Sequence, residues 1–178
     1  MKKKAIREIG AANLNWLFRH EEIKKNKEAE LYQELFYDIV WKQAAVVGVV
    51  KSLPFELDTA PVMTQGWAEG KQIVVPKTTK NGLVFHQITA ESVFVESAFG
   101  VEEPAIEKEI KLSEIDLLIV PGLIFKINGY RVGFGGGYYD RVLKDFQGKS
   151  CSLVFSEQIQ ESWQIEEFDQ RVDKLFIR

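Results

Sequence analysis

Two short, wholly apolar runs constrain the fold more than any other feature: Ala44 to Val50 (AAVVGVV) and Leu117 to Val120 (LLIV). Neither alternates with polar residues, and each meets a turn signal, Ser52-Leu53-Pro54 after the first and Pro121-Gly122 after the second. A strand that is apolar on both faces must be covered on both faces, so these runs predict interior strands of a mostly parallel sheet.

Helical periodicity surrounds them. Ile6, Ile9, Trp16 and Leu17 recur at helical spacing and predict an amphipathic helix from Ala5 to Leu17, with Lys3 and Arg7 four apart on one face near its start. A second helix buries Leu31, Leu35, Ile39 and Val40, and the mixed charges of HEEIKKNKEAE between the two read as a solvated connection. Asp58 or Thr59 caps a helix that Pro61 begins and Gly70 ends. Gln72 to Val75 follows as a strand closed by Pro76, and Asn81-Gly82 predicts a hairpin turn before the alternating strand Leu83 to Ile88. Tyr138 to Phe146 has helical periodicity, and Ser152 to Phe155 and Lys174 to Ile177 complete the sheet. This order predicts one α/β domain over residues 1–178, three-layered and Rossmann-like, with a mostly parallel, partly mixed central sheet.

A net charge of -3 argues against a dedicated nucleic-acid binder, which needs a basic face to displace phosphate counterions. Cys151 is the only cysteine, so an internal disulfide is excluded; it heads an apolar strand and reads as buried and inert. The start MKKKAIREIG lacks the apolar core of a signal peptide, and the longest apolar run is too short for a bilayer. A cytoplasmic protein without a membrane partner is expected.

The chemistry concentrates in GYRVGFGGGYYD, Gly129 to Asp140, between an apolar strand and a helix, where open α/β sheets bind ligands. Gly133, Gly135, Gly136 and Gly137 let the backbone approach a phosphate and present N–H donors at a helix N-terminus. Arg131 supplies a guanidinium suited to phosphate. The segment is neither a Walker loop nor a GxGxxG fingerprint. Tyr138 and Tyr139 suit a rigid ligand-contacting turn better than a flexible linker, and Asp140 is a candidate magnesium ligand. From the residues alone, Lys3 and Arg7 read as a solvated helix face rather than a ligand site, whereas Glu56 reads equally as an acid preceding a helix and Asp173 equally as a strand-edge acid. His20 and His86 receive no role.

The stretch DLLIVPGLIFKINGYRVGFGGGYYDRVL closely resembles the C-terminal signature of the 5-formyltetrahydrofolate cyclo-ligase family, a PGLxF segment followed by NGYRxGxGGGYYDR. The resemblance extends over nearly the whole chain. It includes K-x-x-x-R at Lys3 and Arg7, P-x-E-x-x-T at Pro54 to Thr59, a GK-x-x-x-PK strand, G-x-x-E-P at Gly100 to Pro104, and D-x-x-x-D at Asp169 to Asp173. It implies ATP contacts from Lys3, Lys4, Arg7, and the loop residues Arg131, Val132, Gly133, Phe134, Gly135, Gly136, Gly137, Tyr138 and Tyr139. It implies folate contacts from Arg7, Glu56, Phe99, Phe134, Gly135, Gly136, Gly137 and Tyr138, magnesium at Asp140 and Asp173, and catalytic parts for Arg131 and Tyr139. The implied reaction is ATP-dependent cyclisation of 5-formyltetrahydrofolate to 5,10-methenyltetrahydrofolate using MgATP, and a monomer is expected. Where the family has an acidic residue after PGLxF, Lys126 stands here, with a local change of loop charge as the expected effect. Two other classes compete: a noncatalytic nucleotide-binding module on the same fold, and a single-strand RNA binder stacking bases on Phe134, Tyr138 and Tyr139.

Overall fold

The computed structural model describes residues 1–96, 102–105 and 108–178. Its elements run α1 (Lys3–Arg19), α2 (Glu21–Tyr37), α3 (Ile39–Gln43), β1 (Val46–Val49), α4 (Ala60–Ala68), β2 (Gln72–Thr79), β3 (Gly82–Ile88), β4 (Phe94–Glu96), β5 (Glu102–Pro104) and β6 (Glu109–Ile110). Then come β7 (Leu117–Ile119), β8 (Ile124–Phe125), β9 (Arg131–Val132), α5 (Tyr138–Asp145), β10 (Lys149–Val154) and β11 (Lys174–Ile177).

Seven strands form one sheet in the order β11-β10-β7-β1-β2-β3-β6. The first five positions pair in parallel, and β3 and β6 add antiparallel rungs at one side. The expected mostly parallel, partly mixed α/β sheet is therefore present. Its apolar runs are explained by two cores, because successive side chains of a strand point to opposite faces. Val47, Val49, Ile73, Leu117 and Ile119 join Leu14, Leu31 and Trp41 of the helices on one face. Val74, Leu118 and Val120 face the other core, with Phe85 and with Val142 of α5. Val47, Val49, Ile73 and Leu117 are at most 1% exposed, and burial of each contributes about 1.5–3 kcal/mol relative to an exposed position.

Beside β1, the chain goes to β2 on one side and returns as β7 on the other. The topology switches direction there, and a crevice opens beyond the carboxyl ends of β1 and β7.

Several local expectations need correction. HEEIKKNKEAE is no solvated connection, because α2 begins at Glu21 and buries Lys24 and Glu28. α2 stops at Asp38, whose side chain accepts a hydrogen bond from Val40 N and caps the separate α3, so Ile39 is 58% exposed. Trp16 also faces outward and stacks on His20, while Gly10 and Leu14 take buried places on α1. Pro76 does not close β2, which continues to Thr79. Among the described residues β1 pairs with β2 only as far as Val74, so Pro76 lies beyond that ladder, where a missing N–H is tolerated. The β2–β3 turn falls at Lys80-Asn81, between the paired Thr79 and Gly82.

Candidate active site

The crevice at the switch point is lined by Val50, Ser52, Glu56 and Thr59 after β1, and by Val120 and Gly122 after β7. Its β1 side is knitted by local bonds. Thr59 Oγ1 donates to the Val50 carbonyl at 2.6 Å and accepts from Ser52 N at 3.1 Å, and Thr59 N donates to Ser52 Oγ at 3.2 Å. Glu56 accepts from Leu53 N at 2.8 Å through Oε2. Burial raises the Glu56 carboxyl above its ordinary value, partly offset by the Leu53 N–H and the charge of Lys24. On the opposite wall, Gln158 donates from Nε2 to the Gly122 carbonyl at 2.8 Å and fixes the Pro121-Gly122 turn.

The glycine-rich segment reaches this crevice through a hairpin that the sequence reading missed. β8 and β9 pair antiparallel, Ile124 with Val132 and Phe125 with Arg131, around Asn128-Gly129. An Asn-Gly pair between apolar residues was the available signal. α1 lies hard against this hairpin because Gly10 has no side chain: a Cβ there would stand 2.8 Å from both the Leu123 carbonyl oxygen and Ile124 Cγ1. Ile6 of α1 packs with Ile124, Val132 and Trp163 in a small third core.

That docking carries Arg7 over the loop, where its Nε donates to the Gly133 carbonyl at 3.0 Å. Gly135 has φ +112°, so the site needs glycine for its backbone angle, and a Cβ there would stand 3.3 Å from the Arg7 guanidinium, which would have to shift slightly. Gly137, also left-handed at φ +64°, precedes α5, whose first backbone N–H groups open toward the loop. Phe134 is 56% exposed and meets the Phe55 ring edge-on, centroids 6.3 Å apart. The loop thus touches the segment that carries Glu56.

Beneath the loop, Arg131 is turned inward. Its side chain is 4% exposed, and Nη1 donates to Asp140 Oδ1 at 3.1 Å and to the Gln170 carbonyl at 2.9 Å. Its buried Nε has no hydrogen-bond partner among the described residues. Burial lowers the guanidinium pKa and Asp140 opposes that shift. The Tyr139 ring lies 5.9 Å from the guanidinium carbon. Burial raises the Tyr139 phenol, Arg131 pulls it down and nearby Glu56 raises it further, so the hydroxyl stays protonated and remains a donor. Tyr138 is half-buried beside the Arg141 guanidinium, and the Val132 side chain is buried toward α1.

The structure gathers Arg7, Glu56, Phe134, the glycines and Tyr139, but it treats the other expected residues differently. Lys3 is bound to Asp169 at 2.6 Å and to Glu166, and its ammonium lies near the Trp163 and Phe168 rings. Its pKa is raised: burial works to lower it, and the two carboxylates outweigh burial. Lys4 is exposed. Asp140 and Asp173 each have partners within the protein. Asp140 Oδ1 holds Arg131 and Gln170 N, whereas Asp173 Oδ2 accepts from Ser150 N and Oγ at 2.8 Å where β10 and β11 begin. Among the described residues, no cluster of three or more His, Cys, Asp or Glu side chains has a geometry that fits a metal ion. Phe99 lies outside the described residues. Lys126 is buried, its ammonium 2.5 Å from the Glu161 carbonyl and 3.4 Å from the Glu161 carboxylate, so its charge is compensated locally. Asp169 was visible only as half of a D-x-x-x-D motif; it joins Lys3 of α1 to Glu166 N.

The fold and site together define an α/β enzyme class with a crevice at the switch point and a glycine-rich loop at a helix N-terminus. Comparison with known proteins makes this specific. The model of the 5-formyltetrahydrofolate cyclo-ligase family matches residues 1–178, and the chain belongs to that family. It is 31% identical over 150 residues to the 5-formyltetrahydrofolate cyclo-ligase of Haemophilus influenzae, covering 82% of this chain and 77% of that one. Against the Escherichia coli enzyme of the same name it is 33% identical over 134 residues, 71% of this chain and 74% of the other. The solved structure of Aquifex aeolicus 5,10-methenyltetrahydrofolate synthetase superposes with a TM-score of 0.85 at 26% identity, over 99% of this chain and 90% of that one. No helix among the described residues is long and apolar enough to cross a membrane.

Proposed function

We propose that the protein catalyses the ATP-dependent cyclisation of 5-formyltetrahydrofolate to 5,10-methenyltetrahydrofolate, with release of ADP and phosphate. The observation that carries this reading is the meeting of two surfaces: the loop that Arg7 touches at Gly133 also contacts, through Phe134, the Phe55-Glu56 segment of the crevice. A phosphate on the loop and a carbonyl in the crevice would then be neighbours.

A formamide oxygen is a weak nucleophile and a poor leaving group. Transfer of the γ-phosphoryl group to it breaks the bond to ADP and leaves an activated carbon. N10 attacks that carbon, the C–O bond breaks with loss of phosphate, and N10 gives up its proton as the ring closes. No protein nucleophile is required, and positioning plus electrostatics supply the catalysis. Arg7, exposed Lys4, the amides of Gly135 to Gly137 and the α5 N-terminus would hold the phosphates of MgATP. Magnesium enters with that co-substrate. Lys3 would join them by leaving Asp169 and Glu166. Glu56 and Phe134 would orient the folate, while Arg131 and Tyr139 support the loop from below, with the Tyr139 hydroxyl as a donor. The unit of function is the single domain of residues 1–178, acting as a cytoplasmic monomer.

The test is the absorbance of the methenyl product with purified protein, 5-formyltetrahydrofolate and MgATP. Growth of that chromophore only when both substrates are present is expected; its absence with folded protein would defeat the proposal.

A further inference from the structure

The buried polar face of α2 is not used by the reaction as described. Lys24 and Glu28 are 8% and 6% exposed, and Tyr32 continues their stripe one turn on. Lys24 Nζ meets Glu28 Oε1 at 2.8 Å. That same oxygen accepts from Asp58 N at 2.9 Å, and the Tyr32 hydroxyl donates to the Asp58 carbonyl at 2.5 Å. Both backbone polar groups of Asp58 are therefore held by α2.

Asp58 lies two residues after Glu56. The intervening turn is itself stiff, with Glu56 N donating to the Leu53 carbonyl at 3.0 Å while Glu56 Oε2 accepts from Leu53 N at 2.8 Å. The charge of Lys24 also reaches Glu56. A buried ion pair seldom stabilises a fold better than apolar residues of the same volume, so its placement against one loop residue points to orientation more than to stability. We infer that Lys24, Glu28 and Tyr32 are positioning residues that set the 53–58 segment so that Glu56 faces the folate crevice. This rests on the proposed folate role of Glu56.

Steady-state kinetics with each substrate varied, together with amide hydrogen exchange over residues 53–58, test it. Glu28→Ala is expected to raise the KM for 5-formyltetrahydrofolate about tenfold through the unsatisfied Asp58 N–H, to leave the KM for MgATP unchanged and to speed exchange at 53–58. Glu28→Gln keeps an oxygen for Asp58 N and is expected to restore most of the folate KM. Tyr32→Phe, which only removes a hydroxyl, carries the same test at smaller amplitude where Glu28→Ala fails to fold. Unchanged exchange at 53–58, or equal rises in both KM values, overturns the positioning role beside an active wild type. A wild type that forms no methenyl product overturns the folate reading itself.

Discussion

Arg7 donates from Nε to the Gly133 carbonyl at 3.0 Å, joining residues 126 apart in sequence. The first helix and the glycine-rich loop are thereby one working unit, although the loop is usually read as a self-contained motif. The guanidinium lies at the loop surface beside Gly135, with Cζ 3.3 Å and Nη2 3.4 Å from where a Cβ on that glycine would stand.

Arg7→Ala is therefore expected to raise the KM for MgATP about tenfold or more, the range for losing a charge-assisted contact. Because Arg7 is half-buried and donates to a loop carbonyl, with no carboxylate partner among the described residues, Tm is expected to change little. An unaltered KM would remove Arg7 from the nucleotide site.

Gly10→Ala tests the docking itself. Its Cβ would press on the backbone oxygen of Leu123 at 2.8 Å, which no rotamer change relieves. A loss of about 1–3 kcal/mol is expected, read as a Tm lowered by roughly 2–4 °C per kcal/mol. α1 also carries Arg7, so the KM for MgATP should rise in step; a normal Tm with normal kinetics would mean that α1 has room to move.

Arg131→Ala should abolish most turnover and also lower Tm. The side chain is 4% exposed and removal strands Asp140, so the variant loses stability as well as activity, by about 3–5 kcal/mol if the pair behaves as fully buried. Asp140 is the more exposed partner, at 20%, which makes the lower end the expected one. Thermal melts beside kinetics decide it; a variant that melts like wild type contradicts the inward placement.

Glu56→Gln should separate stability from function. Burial raises the Glu56 carboxyl above its unfolded value, so the wild type's contribution from this group is fully present below the unfolded pKa and is lost as pH rises through the folded one. The Gln variant, which retains an acceptor for Leu53 N, is expected to gain Tm relative to wild type as pH rises while its KM for folate worsens. A Tm advantage that grows toward acid would reverse the sign and contradict the burial.

The parts of this fold that could be read in advance were those whose cause is local. β1 and β7 are apolar on both faces because each feeds two cores, and that leaves a mark in any stretch of sequence. The start of α2 carries no such mark: Lys24 and Glu28 are buried because they satisfy each other and Asp58, a partner 30 residues away. The motif offers Asp173 as a metal-associated acid, and what it does not show is that Asp173 Oδ2 accepts from Ser150 on the neighbouring strand. Arg131 was legible as a loop cation, whereas its inward turn depends on Asp140 and on the Gln170 carbonyl of a distant segment. The glycine loop itself was found by composition; its dependence on α1 was visible only as the family-like spacing of Lys3 and Arg7.

Coupling of ATP cleavage to ring closure is tested by phosphate release from MgATP measured beside methenyl absorbance, with and without 5-formyltetrahydrofolate. One phosphate for each methenyl product and little release without the folate are expected. Nucleotide binding with no folate-dependent phosphate release would contradict that coupling and leave a nucleotide-binding module on this fold.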